Sequence, residues 1–217
     1  MHKLFLAILD LLYPSSCLGC SKRGPAICIE CEEKIRTPER DLEPENIYAL
    51  YDYRDEIVRK AIWTLKYHRQ SSIGSHLGRL IYEGFLEEIA ALKAYDAQPI
   101  IVMPVPLSRK RLAMRGYNQA ERIAKEFVKC AGIEVAMLDT KSIFKVVDTI
   151  PQARLNNRVR RLKNLQGVFS TRNKAELLGR TVILIDDVTT TGATFKEIEQ
   201  LLKGAGAQKV VAFAVAH

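Results

Sequence analysis

Val182–Thr194 reads VILIDDVTTTGAT, and the fold is decided there. Thr181–Ile185 is an unbroken β-branched and apolar run, which suits a strand buried on both faces of a parallel sheet. Thr194–Lys203 then has the spacing of a helix. Between them lie Asp186, Asp187, Val188, Thr189, Thr190, Thr191, Gly192 and Ala193. Small hydroxylated residues with one glycine let backbone N–H groups converge on a phosphate ahead of the positive end of a helix. Asp186 and Asp187 repel a phosphate, so they need another partner, either a sugar diol or Mg2+. The plainer reading is an acidic strand end that caps the following helix.

Working outward, Ile100–Val105 (IIVMPV) and Val210–Val215 (VVAFAV) repeat the buried-strand pattern, the latter closing the sheet. Ile47–Tyr53 and Ile143–Val147 are further strand candidates. Helical spacing marks Glu56–Tyr67, Ile73–Lys93 and Asn118–Cys130, with Gly132 as a C-cap. Strands alternating with helices predict an α/β fold, a parallel sheet flanked by helices. Of the 217 residues, 47% are hydrophobic and 27% charged, ordinary for a globular chain, and no apolar run is long enough to span a bilayer. The expected organisation is a helix plus four-cysteine module over 1–36, a polar linker over 37–46 and the α/β domain over 47–217. Lys3–Leu12 reads as an amphipathic helix interrupted by Asp10, not as a signal peptide, which predicts a cytoplasmic protein.

Cys17, Cys20, Cys28 and Cys31 form two CxxC pairs. Two-residue gaps aim both thiolates of each pair at one ion, and two such pairs complete a tetrahedral shell for structural Zn2+. A disulfide pair and a thioredoxin-type redox site are the competing readings. Gly19 and Gly24 supply the permissive backbone of the knuckle turns. Cys130 reads as a small buried hydrophobe. Lys and Arg number 33 against 25 Asp and Glu, a net +8 that favours polyanionic partners.

Several blocks together carry a resemblance: LYPSSCLGC…CIEC, LKYHRQ at Leu65–Gln70, MPVPLSRKRLAMRGYNQA at Met103–Ala120, PQARL at Pro151–Leu155, Arg161-x-x-Asn164…Gly167-Val168-Phe169, and IDDVTTTGAT. The last is similar to the phosphoribosyl pyrophosphate signature of type I phosphoribosyltransferases, and the set resembles the ComF family of competence proteins. That resemblance implies a type I phosphoribosyltransferase-like domain with an N-terminal zinc finger. It further implies that Asp186 and Asp187 hold ribose hydroxyls or Mg2+, that Thr189–Thr194 hold the 5-phosphate, and that Val105, Pro106, Leu107, Ser108 and Arg109 form the pyrophosphate loop. Ser108 stands where many members carry His. The function implied is binding of phosphoribosyl pyrophosphate with Mg2+, of single-stranded DNA, or of both, during DNA uptake in natural transformation. A DNA-uptake helicase or channel component is the partner this suggests. The alternative is a Mg2+-dependent phosphoribosyltransferase moving ribose-5-phosphate to an acceptor.

Basic residues supply the remaining candidates. Arg111 and Arg115 follow the pyrophosphate loop, and Arg158, Arg161 and Lys163 lie where type I enzymes carry a lid. All five suit a lid or a nucleic-acid surface, or else a solvated helix face. Tyr48, Tyr51, Tyr53, Trp63 and Tyr67 read as packing residues, with base stacking as the alternative. His68 and His76 lack ligand spacing and take no metal role.

Overall fold

The computed structural model describes residues 16–38, 46–68, 71–146 and 167–217. The Lys3–Leu12 helix, most of the 37–46 linker and the basic residues Arg158, Arg161 and Lys163 lie outside them.

In chain order the elements are α1 (Ile29–Glu32), β1 (Ile47–Tyr51), α2 (Glu56–Tyr67), α3 (Ser71–Gly84), α4 (Leu86–Tyr95), β2 (Ile100–Pro104), α5 (Arg109–Arg115), α6 (Gln119–Ala131), β3 (Ala136–Leu138), β4 (Ile143–Lys145), β5 (Phe169–Thr171), α7 (Lys174–Leu177), β6 (Thr181–Val188), α8 (Ala193–Gly204) and β7 (Lys209–Ala216). Five strands form one parallel sheet in the order β1-β7-β6-β2-β3. β7 is therefore internal, beside β6, and β1 is the strand that closes that side. Ile143–Lys145 does not join this sheet; it pairs antiparallel with Phe169–Thr171 in a separate two-stranded sheet. β3, which does join it, is short and carries Met137 on an exposed face, so its apolar signal is weak. The helix expected over Ile73–Lys93 is two helices broken at Phe85, which turns its ring inward to stack on Phe213.

The central strands are covered on both faces, which explains their continuous apolar runs. Ile183 and Ile185 of β6 and Val211, Phe213 and Val215 of β7 face one core, shared with α2, α3 and α6. Val182 and Leu184, with Val210, Ala212 and Ala214, face the other, under α8. Among the described residues no helix is long and apolar enough to cross a membrane.

α3 meets α6 unusually closely. A Cβ on Gly78 would stand 2.4 Å from the Ile123 carbonyl oxygen and 2.8 Å from the Glu126 Cβ, and one on Gly74 would stand 2.9 Å from the Arg122 Cβ. Neither helix backbone can yield without disturbing the core beneath. Gly78→Ala is expected to destabilise the fold by about 1–3 kcal/mol. Urea denaturation measures this, and a midpoint equal to wild type would refute the close-packing account.

Also on α3, His76 is buried and its Nδ1 lies 3.1 Å from Arg79 Nη2. A guanidinium can only donate, so Nδ1 accepts and the ring is neutral. Burial, then the Arg79 charge, lowers its pKa to about 4. In the unfolded chain the ring takes a proton below about 6.5, but in the folded chain only near 4, so the unfolded state binds more protons between those values. Stability is expected to fall as pH drops through that window, by about 3 kcal/mol at most. Chemical denaturation of wild type and His76→Gln from pH 7 to 4 tests this. Parallel profiles for the two proteins would exclude His76 as the cause.

Candidate functional site

β2 and β6 are neighbours, but their chains leave in opposite directions. The β2 connection runs through α5 and α6 to β3 on one side; the β6 connection runs through α8 to β7 on the other. Such a switch point opens a crevice at the carboxyl ends of the strands. Asp186 and Asp187 reach that edge as the last turn of the β6 ladder, which runs to Val188 and so extends beyond the expected Thr181–Ile185. Val105 N–H donates to the Ile185 carbonyl at 2.9 Å, holding the loop after β2 against the acidic pair. The Asn118 carboxamide donates to the Val105 carbonyl at 3.0 Å while its oxygen caps α6 through Ala120 N–H.

Thr189 N–H donates to the Ala216 carbonyl at 2.9 Å, which anchors the start of the Thr/Gly loop. Gly192, with φ of 67°, turns that loop into α8 in a left-handed conformation that other residues adopt only with strain. It offers no capping side chain, so α8 presents the positive end of its dipole without a side-chain cap. The Thr191 hydroxyl oxygen is buried there and finds no hydrogen-bond partner among the described residues. A phosphate fits both features.

The acidic pair is electrostatically loaded. Asp187 N–H donates to Asp186 Oδ1 at 2.8 Å. Burial, and next the Asp187 carboxylate, push the Asp186 pKa up to about 8. Lys66 Nζ, from the last turn of α2, lies 2.8 Å from Asp187 Oδ2, and both side chains are mostly buried. Burial works to lower the Lys66 pKa, but Asp187 and Asp186 outweigh it and hold the ammonium above its ordinary value. This arrangement suits a hard divalent cation or a ribose diol, each of which would take the carboxylates as Lys66 now does. Lys66 is the site residue that sequence reasoning passed over. Its signal was present: Val58 and Ile62 are spaced by four on the buried stripe of α2, and Lys66 continues it where an apolar residue belongs.

The other expected site residues separate into two groups. Val105, Pro106 and Leu107 form the loop, but Ser108 is the N-cap of α5, accepting from Arg111 N–H, and Arg109 opens that helix. No residue of α5 is buried, so Arg109 and Arg111 stand on a solvated helix beside the crevice, with Arg115 at its end.

At the other end of the chain the four sulfurs of Cys17, Cys20, Cys28 and Cys31 lie within 4.8 Å of one another. Cys20 and Cys28 Sγ are 3.7 Å apart, close to the roughly 3.8 Å edge of a tetrahedron with Zn–S bonds of about 2.3 Å. None of the four is joined in a disulfide, and the tetrahedral spacing favours the metal reading over the disulfide one. Desolvation would raise the Cys17 pKa, yet backbone N–H groups of Cys20, Cys28 and Gly19 outweigh it and bring the value to about 6. Four sulfurs gathered this closely could hold a metal ion, and an all-cysteine set of this kind is consistent with zinc. Gly24 does take a positive φ, but Gly19 serves by space: a Cβ there would sit 2.7 Å from Cys31 Sγ. Cys130 is only half-buried, not buried as expected.

A family model of the phosphoribosyl transferase domain matches residues 93–217, which takes in β2, β6, the acidic pair and the Thr/Gly loop but not Lys66. The chain belongs to the phosphoribosyl transferase domain family. Within it, DNA utilization protein YhgH of Escherichia coli O157:H7 is 35% identical over 150 residues, 69% of this chain and 62% of that protein. Competence protein F of Haemophilus influenzae is 32% identical over 158 residues, 72% of this chain and 66% of its own length. Competence protein ComFC of Streptococcus pneumoniae is 33% identical over 142 residues, 65% and 57% of the two chains. The chain thus spans less than two thirds of the length of these curated relatives. They bear out the resemblance to competence proteins of the ComF type.

Proposed function

We propose that this phosphoribosyl transferase-type protein binds phosphoribosyl pyrophosphate with Mg2+ in the β2/β6 crevice and handles single-stranded DNA during uptake in the cytoplasm. One observation carries the reading: an acidic pair, of which Asp187 forms an ion pair with the half-buried Lys66, stands directly before a Thr/Gly loop that feeds a helix without a side-chain cap. The 5-phosphate would sit on Thr189–Thr194, the ribose hydroxyls on Asp186 and Asp187, and the pyrophosphate against Val105–Arg109. Bound Mg2+ would neutralise the pyrophosphate and share the carboxylates. The names of the relatives support a role in DNA utilization and competence, and the net +8 favours a strand as partner. The zinc module would dock a helicase or channel component of the uptake apparatus.

The family domain also supports a second reading, transfer of ribose-5-phosphate to an acceptor with release of pyrophosphate. Calorimetric titration of phosphoribosyl pyrophosphate with and without Mg2+, followed by a pyrophosphate-release assay over a panel of bases and amines, tests both. Saturable Mg2+-dependent binding is expected. No heat and no protection against thermal unfolding at millimolar ligand would overturn the crevice assignment, and binding without release for any acceptor would remove the transferase reading.

A further inference from the structure

Trp63, Tyr67 and His68 were expected among packing residues or left without a role, and the structure places them differently. Tyr48 does pack, edge-on to Phe213, and Tyr51 is buried. Trp63 is 55% exposed and Tyr67 57%, on the face of α2 opposite its core stripe. Their ring centroids are 5.9 Å apart, and the His68 ring lies 4.4 Å from that of Trp63. Three exposed rings at one helix end form an apolar patch that, among the described residues, meets the rest of the fold only at Arg115, and such a patch marks a binding surface.

Three contacts locate the patch. Lys66, between these rings in sequence, is the ammonium that pairs with Asp187, so the cluster borders the crevice. The Tyr117 hydroxyl donates to the Leu65 carbonyl, and the Arg115 guanidinium lies 5.8 Å from the centre of the Tyr67 ring. These join the ring cluster to α5, which buries none of its residues and offers Arg109, Lys110 and Arg111. Among the described residues none of those three pairs with a carboxylate.

We propose that Trp63, Tyr67 and His68 form a base-stacking platform for single-stranded nucleic acid, with α5 neutralising the backbone that leads to it. Rings tolerate any base because every base has a π-face, and cations spaced along a helix suit a phosphate chain. A free nucleobase is the poorer occupant. Small ligands are held in pockets that bury most of their surface, and rings this exposed provide only a floor. Charge decides against a second protein's apolar face: the flanking helix is wholly cationic among its ionisable residues. The inference rests on the DNA-handling part of the proposed function, and not on phosphoribosyl pyrophosphate.

Trp63 is the only tryptophan of the chain, so its emission reports on stacking directly. The full-length protein is titrated with oligodeoxythymidylate and with an abasic strand of equal length, while anisotropy of an end-labelled strand reads binding separately. Saturable quenching by the base-bearing strand, much reduced with the abasic one, is expected. Trp63→Ala and Tyr67→Ala should each weaken binding roughly ten- to a hundredfold, Trp63→Phe much less. Both side chains are exposed, so unchanged thermal melts should accompany the loss. Strand binding that leaves Trp63 emission unchanged, or that survives both alanine variants, overturns the platform. Absence of any strand binding also overturns it. Calorimetry with phosphoribosyl pyrophosphate and Mg2+ then shows whether the crevice reading stands alone or falls with it.

Discussion

Serine in place of Cys17 or Cys31 is expected to empty the four-sulfur cluster and unfold residues 16–38 while leaving the parallel sheet folded. The segment has little core of its own. Cys17, Ile27, Cys31 and Ile35 are its buried hydrophobes, and two of those four are the ligands themselves. Among the described residues its hydrogen bonds to the rest of the protein are few: Asp52 N–H to the Arg36 carbonyl at 2.8 Å, Arg36 N–H to Asp55 Oδ2 at 3.5 Å and the Tyr51 hydroxyl to Glu32 at 3.3 Å. Metal coordination must then supply most of the folding free energy, on the order of 10 kcal/mol for a site of this kind at neutral pH. Loss of one thiolate leaves a three-ligand site that no longer holds the knuckles together.

Elemental analysis of freshly purified protein should give one zinc per chain for wild type and almost none for either variant. Proteolysis should cut the variants within residues 16–38 first, because Ile57, which faces Gly19, would lose its cover. Wild-type protein free of zinc after purification in chelator-free buffer would sink the assignment. So would a Cys17→Ser protein with a wild-type melt.

The sheet was legible because its central strands are buried on both faces. β6 and β7 carry the unbroken apolar runs Val182–Ile185 and Val210–Ala216, which suit a strand covered on both faces. Elements that depend on one tertiary contact were not legible. The break at Phe85 exists because its ring stacks 4.5 Å from that of Phe213, a residue far along the chain. β3 spans only three residues, too few for any alternation to show. The site divides in the same way. Its local half, the acidic pair and the Thr/Gly loop, is continuous in sequence and could be named residue by residue. Its other half arrives from α2 as Lys66, and only folding brings an ammonium to Asp187. The exposed Trp63 and Tyr67 escaped for a related reason: spacing tells which residues share a helix face, but the solvent face reads as packing when aromatic rings occupy it.

Asparagine at both Asp186 and Asp187 is expected to weaken binding of phosphoribosyl pyrophosphate with Mg2+ at least a hundredfold. Hydrogen bonds to a charged carboxylate contribute roughly 1.5–3 kcal/mol each, and both carboxylates would be lost together with their share of the cation. The substitution also strands Lys66, a mostly buried ammonium without its counter-charge, which is costly in itself. Lys66→Met with Asp187→Asn removes both members of the pair and separates the two effects. Its fold should be near wild type in a melt, and its ligand affinity should still be low. Calorimetry decides: affinity within threefold of wild type for the double asparagine protein would put the sugar elsewhere.

The pH dependence has a definite sign. Burial and the neighbouring Asp187 carboxylate raise the Asp186 pKa to about 8, which favours its protonated form in the free protein. A ribose hydroxyl donor or a cation favours the ionised form, so binding must expel that proton. Affinity should therefore rise with pH from 6 to 8, by up to about tenfold per unit, and level off above. Proton release should appear as a buffer-dependent heat of binding. Asp186→Asn should flatten the profile, because an amide has no proton to give up, while a profile that stayed steep in that variant would assign the titrating group to another residue.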